Sequence, residues 1–257
     1  MKIATWNVNS LRVRLAHLLD WLAAHEPDAM CLQETKCDDE KFPREELLAA
    51  GYCSVHHGQR GYNGVAILSR RAGTLACRGI PGFTDPQSRV IALDLDGVRL
   101  VSVYVPNGQS VGSEKFAYKL CWLEALRGWL AAELAQHPRL AVLGDFNVAP
   151  EPRDVHDPQA WEGQVLFSAA ERAALDSIVG LGLTDAFRLF AQPEASYSWW
   201  DYRMAAFRRN LGLRIDHVLL SRELAQRCVG CTIDVAPRRL DRPSDHAPVI
   251  CELALAP

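Results

Sequence analysis

Leu140-Ala141-Val142-Leu143-Gly144-Asp145-Phe146-Asn147 is the stretch that decides the fold. Four apolar residues with no polar alternation fit a strand buried on both faces. A strand places residues i and i+2 on one side, so Asp145 and Asn147 project together where it ends. Gly144 permits a bend or a close approach there, and Pro150 and Pro152 stop regular structure beyond it. An acid and an amide at the end of a core strand are costly to bury without partners. Functional groups of α/β folds sit at that place; an Asx turn closing the strand explains the pair as well.

Working outward, residues 2–8 read as a first strand with Asn7 and Asn9 at its end. Leu11 to Ala24 has helical spacing, and Ala29 to Leu32 is a short apolar strand ending on Gln33-Glu34-Thr35. A short helix from Phe42 to Ala50 follows, then paired strands at Tyr52 to His57 and Gly64 to Ser69. Val90 to Leu95 and Val98 to Tyr104 form a hairpin through Asp96-Gly97. Ser113 to Gln136 is a long amphipathic helix. Beyond the central strand come a polar surface loop from Asp154 to Gln164 and a helix capped by Ser168, with Glu171 in capping-box position. A helical segment at Thr184 to Phe190, strands at Leu213 to Leu220, Thr232 to Val235 and Val249 to Leu255 complete the chain. Many short strands, only some separated by helices, imply one domain over 1–257 built from two packed mixed sheets with helices outside.

Hydrophobic content of 49% and charged content of 23% suit a globular protein with a large core. No run approaches the roughly 18 apolar residues of a membrane helix, and Met1 to Asn7 lacks the apolar block of a signal peptide. The expectation is a cytoplasmic protein with no membrane partner. Cys31, Cys53, Cys121 and Cys251 lie in apolar contexts and read as buried thiols. Cys228-Val229-Gly230-Cys231 stands alone, too little for a zinc site. The net charge of −3 works against non-specific nucleic-acid binding, yet arginines cluster at 203, 208, 209 and 214 and again at 238, 239 and 242.

Strand ends and adjoining turns deliver Asn7, Glu34, Tyr104, Asp145, Asn147, Asp216, Asp245 and His246, spread over almost the whole chain. Together they make a set of hard oxygen donors plus one imidazole. That chemistry suits Mg²⁺, with Mn²⁺ as the alternative, and the hydrolysis of phosphate esters. Singly, each has a plainer explanation. Asn7 and Asn9 could cap the helix at Leu11, Tyr104 could be a core tyrosine, and Asp245 and His246 could form a local turn. His217 faces the opposite side of its strand from Asp216, and His56, His57 and His156 read as surface or loop histidines.

The motifs Trp6-Asn7-Val8-Asn9-Ser10-Leu11-Arg12, Leu32-Gln33-Glu34-Thr35-Lys36, Tyr62-Asn63-Gly64-Val65-Ala66, Tyr104-Val105-Pro106-Asn107-Gly108, Gly144-Asp145-Phe146-Asn147, Ser198-Trp199-Trp200-Asp201-Tyr202, Arg214-Ile215-Asp216 and Ser244-Asp245-His246-Ala247-Pro248 occur in one order along the chain. In that order the chain resembles the exonuclease III family of DNA repair nucleases, within the endonuclease/exonuclease/phosphatase superfamily. The resemblance implies a four-layer α/β sandwich and one divalent-metal site. It also implies action on duplex DNA with abasic sites, nicks or blocked 3′ ends, as 3′→5′ exonuclease, 3′-phosphatase and abasic-site endonuclease.

By the same resemblance Glu34 is the main metal ligand with Asn7 beside it, and Asp245 helps to hold the metal or His246. His246 contacts the scissile phosphate, oriented by Asp216. Asp145 orients or deprotonates the attacking water or assists the leaving oxygen, and Asn147 and Tyr104 hold phosphate oxygens. Trp199, Leu213 and Ile215 line an abasic-deoxyribose pocket, unless they are a plain core cluster. Asn9, Arg89, Arg203, Arg208, Arg209, the Gly61-Tyr62-Asn63 turn and Lys115 are candidates for DNA contacts, a solvated surface being the alternative for the arginine run. Nothing in the sequence signals an obligate oligomer, so a monomer is expected.

Two departures bear on specificity. Gln109 and Ser110 follow the Tyr104 motif where some members insert a basic residue into DNA, and the loop from Asp154 to Phe167 matches the family poorly. Other readings are a phosphodiesterase acting on lipids or small molecules, which the Trp199 pocket and arginine clusters oppose, a specialised 3′-end processor without abasic endonuclease activity, and a non-catalytic regulator of the same fold.

Overall fold

The computed structural model describes residues 1–255. Two six-stranded sheets carry the fold. The first runs β13 (Cys228–Ile233), β14 (Val249–Leu253), β1 (Lys2–Asn7), β2 (Ala29–Gln33), β4 (Val65–Ser69), β3 (Cys53–His57). The second runs β5 (Thr74–Arg78), β6 (Val90–Leu95), β7 (Val98–Tyr104), β8 (Leu140–Asp145), β12 (Asp216–Leu220), β9 (Thr184–Asp185). A two-stranded ribbon pairs β10 (Trp199–Trp200) with β11 (Gly212–Leu213).

The alternation of strand side chains splits the core into layers. Ile3, Cys31, Ile67, Leu93, Leu100, Leu143 and Val218 meet between the two sheets. Their neighbours Ala4, Met30 and Leu68 turn outward and pack under α1 (Leu11–His25) and α2 (Arg44–Ala49). On the far side Ala92, Val101 and Val142 pack under α3 (Glu114–Gln136) and, after the short α4 (Pro158–Trp161), under α5 (Ala169–Val179). A last short helix, α6 (Arg222–Ala225), follows β12. The order helix, sheet, sheet, helix is the expected four-layer sandwich. Central strands buried on both faces explain their near-continuous apolar sequences.

Each sheet holds one parallel pair at its middle, β1 with β2 across α1 and β7 with β8 across α3. The carboxyl ends of both pairs open at the same edge of the sandwich, and the site forms there. Gly144 is required by the geometry: a Cβ on it would lie 1.9 Å from the main-chain oxygen of Val103. Gly64 is constrained likewise, by the Thr35 hydroxyl at 2.1 Å.

Several expectations need correction. Strand β5 carries too few apolar residues to show in the sequence, because it is an edge strand with alternate residues exposed. The strand expected over Leu213 to Leu220 is two strands, broken where Arg214 turns inward. The segment Thr184 to Phe190 begins as a strand paired to β12 before one 3₁₀ turn. Asp154, expected at the start of a polar surface loop, is fully buried; it accepts from Arg214 Nε at 2.7 Å and from Arg188. Arg214 also pairs with Asp185 at 2.7 Å, so it belongs to an internal ion network and not to a surface arginine run. His56 is buried and stacked on Phe42 at 4.0 Å instead of lying on the surface. Cys121 is exposed and Cys53 half-buried, while Cys31 and Cys251 are buried as expected. No helix among the described residues is long and apolar enough to cross a membrane.

Candidate active site at the carboxyl ends of the parallel strands

Asp145 ends β8 and stands at the centre. Register puts Tyr104 of β7 beside it on one side and Asp216 of β12 on the other. Asn7 at the end of β1 reaches across from the first sheet. Its side-chain nitrogen donates to Asp145 Oδ2 and to Glu34 Oε1, both at 2.9 Å. Asn7 therefore cross-links two carboxylates on different sheets, and it does not cap α1. Its own oxygen accepts from the Asn9 amide at 3.0 Å.

Asn147 holds Asp145 from below. Its main-chain amide donates to Asp145 Oδ1 at 2.9 Å, and its side-chain nitrogen donates to Asp145 Oδ2 at 3.3 Å and to the Val105 carbonyl at 3.0 Å. That geometry needs a left-handed backbone at Asn147, with φ of 50°. Glu34 at φ 50° and Asn9 at φ 42° share it. Asparagine tolerates this region, whereas a residue such as Glu34 gives up on the order of 1–2 kcal/mol there, and such strain concentrates at functional sites.

His246 completes the centre. Its Nδ1 lies 2.9 Å from Asp216 Oδ2, which turns Nε2 toward Asp145 Oδ2 at 3.7 Å. Burial works against a charged imidazole, but Asp216 and then Asp145 outweigh it and lift His246 to about 10. Asp145 is itself raised to about 7, chiefly by burial, with His246 pulling it down and Asp216 pushing it up. Tyr104 is raised well above its ordinary value by burial and by the negative charges of Glu34 and Asp145, so it remains a neutral donor.

Glu34, Asp145 and His246 each offer an atom within 4.8 Å of the others. A histidine kept protonated by two carboxylates is a poor ligand and a good phosphate contact. The oxygens of Glu34 and Asp145 are the donors that suit a hard cation. Glu34 Oε2 meets Lys36 Nζ at 2.8 Å, a cation already drawn to this place.

Asp245 sits farther round the rim. Its oxygens accept from Asn9 Nδ2 at 2.8 Å and from the Trp199 indole at 3.1 Å. It ties the first strand's end to the aromatic ribbon, and Trp199 bridges to His246 in turn. Trp199 packs with Leu213 and Ile215, and Leu166 and Phe167 fill the same cluster. Arg89 is buried. Its guanidinium stacks over Tyr104 at 4.7 Å and donates to the Tyr104 carbonyl at 3.1 Å. Arg203, by contrast, has a side chain 88% exposed. His217 points away from the centre and bonds the Val148 carbonyl at 2.8 Å.

Two further residues escaped the sequence. Lys119 and Glu171 form an ion pair with neither side chain exposed, directly beneath Asn147. The signal for Lys119 is its place on the buried stripe of α3, between Phe116 and Trp122, where an apolar residue belongs. Glu171 was legible only as the partner of Ser168 in the capping box.

A four-layer sandwich with carboxylates, a charged imidazole and amides at the carboxyl ends of its parallel strands is the architecture of a metal-assisted phosphoesterase. The model of the Endonuclease/Exonuclease/phosphatase family matches residues 4–246, and the chain belongs to that family. It is 36% identical to the exodeoxyribonuclease III of Haemophilus influenzae over 266 residues, covering 98% of this chain and 99% of that protein. The structure of the 3′ phosphatase NExo from Neisseria bound to a product DNA hairpin superposes with a TM-score of 0.97 at 45% identity, over 98% of this chain and 99% of that one. An AP endonuclease from Archaeoglobus fulgidus gives 0.95 at 39% identity, over 99% of this chain and 100% of that one.

Proposed function

We propose that this chain is a divalent-metal-dependent DNA repair nuclease that hydrolyses phosphate esters at nicks, blocked 3′ ends and abasic sites of duplex DNA. The observation that carries this is the Asp145 carboxylate, held by Asn147 and Asn7 and facing a protonated His246. The kinship with exodeoxyribonuclease III and with a 3′ phosphatase supports DNA as the substrate. Glu34, with Asp145 within reach, would hold Mg²⁺, or Mn²⁺ in its place. The cation when bound supplies charge neutralisation at the phosphate oxygens.

The residues divide the remaining work. His246, kept charged by Asp216, donates to a non-bridging phosphate oxygen, and Tyr104, braced by Arg89, donates to another. Asp145 accepts a hydrogen bond from the attacking water and aligns it for in-line displacement. It takes the water's proton as the bond to phosphorus forms. Two preorganised donors and one acceptor around a single phosphate stabilise charge that develops in the transition state.

Leu166 packs into the same apolar cluster as Trp199, Leu213 and Ile215, and from that packing we infer a preference for 3′ termini over internal abasic sites. The deciding experiment gives the protein and Mg²⁺ two end-labelled duplexes, one with a 3′-phosphate at a nick and one with an internal abasic analogue. Phosphate release abolished by EDTA is the expected result. Full activity in chelator overturns the metal role, and inertness toward both duplexes overturns the DNA reading.

A further inference from the structure

We propose that the buried Lys119–Glu171 pair is a positioning device for the reaction, which sets Asp145 through the Asn147 turn and fixes the Leu166 loop at the same time. This rests on the roles of Asp145 and Asn147 put forward above.

A buried ion pair is weak evidence for stability, since apolar side chains of the same volume often serve as well. What an ammonium does and a methyl cannot is saturate main-chain carbonyls. Lys119 Nζ has three protons. One goes to the Asn147 carbonyl at 2.6 Å, one to the Asn107 carbonyl at 3.1 Å and one to Glu171 Oε1. Asn107 and Asn147 lie on different loops, after β7 and after β8, and Asn107 Nδ2 donates to Asn147 Oδ1 at 3.2 Å. Lys119 therefore pins both loops from beneath, at the residue whose amide aims Asp145.

Glu171 carries the tie outward. Its Oε1 accepts from the Leu166 amide and its Oε2 from the Ser168 amide, each at 3.0 Å. Leu166 sits at φ 78°, a conformation a leucine adopts only when held. One pair of charges thus connects the loop that fills the Trp199 wall to the turn that orients the central carboxylate. A crosslink serving stability alone would explain the burial but not the aim of two Lys119 donors at the loop carbonyls of Asn107 and Asn147.

The test is a double-mutant cycle on 3′-phosphate release. Lys119→Met lowers kcat by about 100-fold, the cost of misplacing a catalytic group by an ångström, while KM for the nicked duplex changes less than about threefold. In the Asn147→Ala background the same substitution costs less than about threefold, because the turn it acts through is already released. Should Lys119→Met not fold, Lys119→Met/Glu171→Leu, which removes both charges, takes its place in the cycle. Losses that multiply in full overturn the proposal while leaving the site's roles intact. An Asn147→Ala protein with undiminished turnover overturns the role of Asn147 and this proposal with it.

Discussion

His246 Nδ1 lies 2.9 Å from Asp216 Oδ2, at the point where β12 begins and the last loop crosses over it. The contact fixes the ring and holds its charge. The imidazole's folded-state affinity for protons is raised from 6.5 to about 10, so its charged form contributes stability that is complete below 6.5 and is lost as pH rises through about 10. Asp216→Asn removes the largest favourable partner. Turnover should then fall off from near pH 7 upward instead of holding toward pH 9, and the decline of Tm over the same range should flatten. An alkaline limb identical to that of the wild type would assign the proton to another group.

Asp145 has the opposite consequence for stability. Burial lifts its proton affinity from 3.8 to about 7, so the native state holds a proton that the unfolded chain has released. In EDTA, stability attributable to this group is present below about pH 4 and declines as pH rises through 7. Asp145→Asn should abolish that slope, raise Tm in EDTA at pH 8, and lower turnover by at least about 100-fold. Mg²⁺ should raise Tm of the wild type more than that of the variant. Equal metal stabilisation of both proteins would leave Glu34 as the main anchor without help from Asp145.

The sandwich was legible because its central strands are apolar on both faces and each ends in the same kind of residue. Glu34 and His246 are 212 positions apart by number, yet each follows a short apolar strand or precedes one, which is enough to bring them together in an α/β fold. What could not be read was direction. Arg89 and Arg214 are arginines like Arg203 in sequence, but one is spent on Tyr104 and the other on Asp154 and Asp185. Asp154 gave no sign of burial because its partners lie on Arg188 and Arg214, which only the finished fold delivers. For Asn7 and Asn9 a helix cap stayed open beside the site role for the same reason: local spacing is visible, and a bond from one sheet to the other is not.

Leu166 is the residue to change in order to alter substrate choice. It is buried with Trp199, Leu213 and Ile215, and its backbone is left-handed. Leu166→Gly relieves the backbone conformation while opening space against the tryptophan. Removing a buried leucine costs on the order of 2–5 kcal/mol, and the relieved strain offsets about 1–2 kcal/mol of that, so the variant folds with a lowered Tm. The ratio of abasic-site cleavage to 3′-phosphate release should rise by at least about tenfold. An unchanged ratio, with both activities reduced together, would move the determinant elsewhere in the Asp154–Phe167 loop.

Arg89 and Arg203 should behave differently toward DNA although both were candidates for the same role. Arg203 is solvent-exposed, with only the exposed Asp201 carboxylate 3.9 Å away to compete for it, so Arg203→Ala should weaken binding and lower the slope of log affinity against log salt by about one. Arg89 faces Tyr104 and the Gln87 side chain, with its guanidinium bonded to Gln87 Oε1 at 2.7 Å. Arg89→Met should leave the salt slope unchanged and lower kcat, because the ring of Tyr104 loses the cation stacked on it. Titrating a nicked duplex at four salt concentrations separates the two outcomes. A reduced slope for Arg89→Met would mean that the guanidinium leaves the tyrosine to follow the DNA backbone when substrate binds.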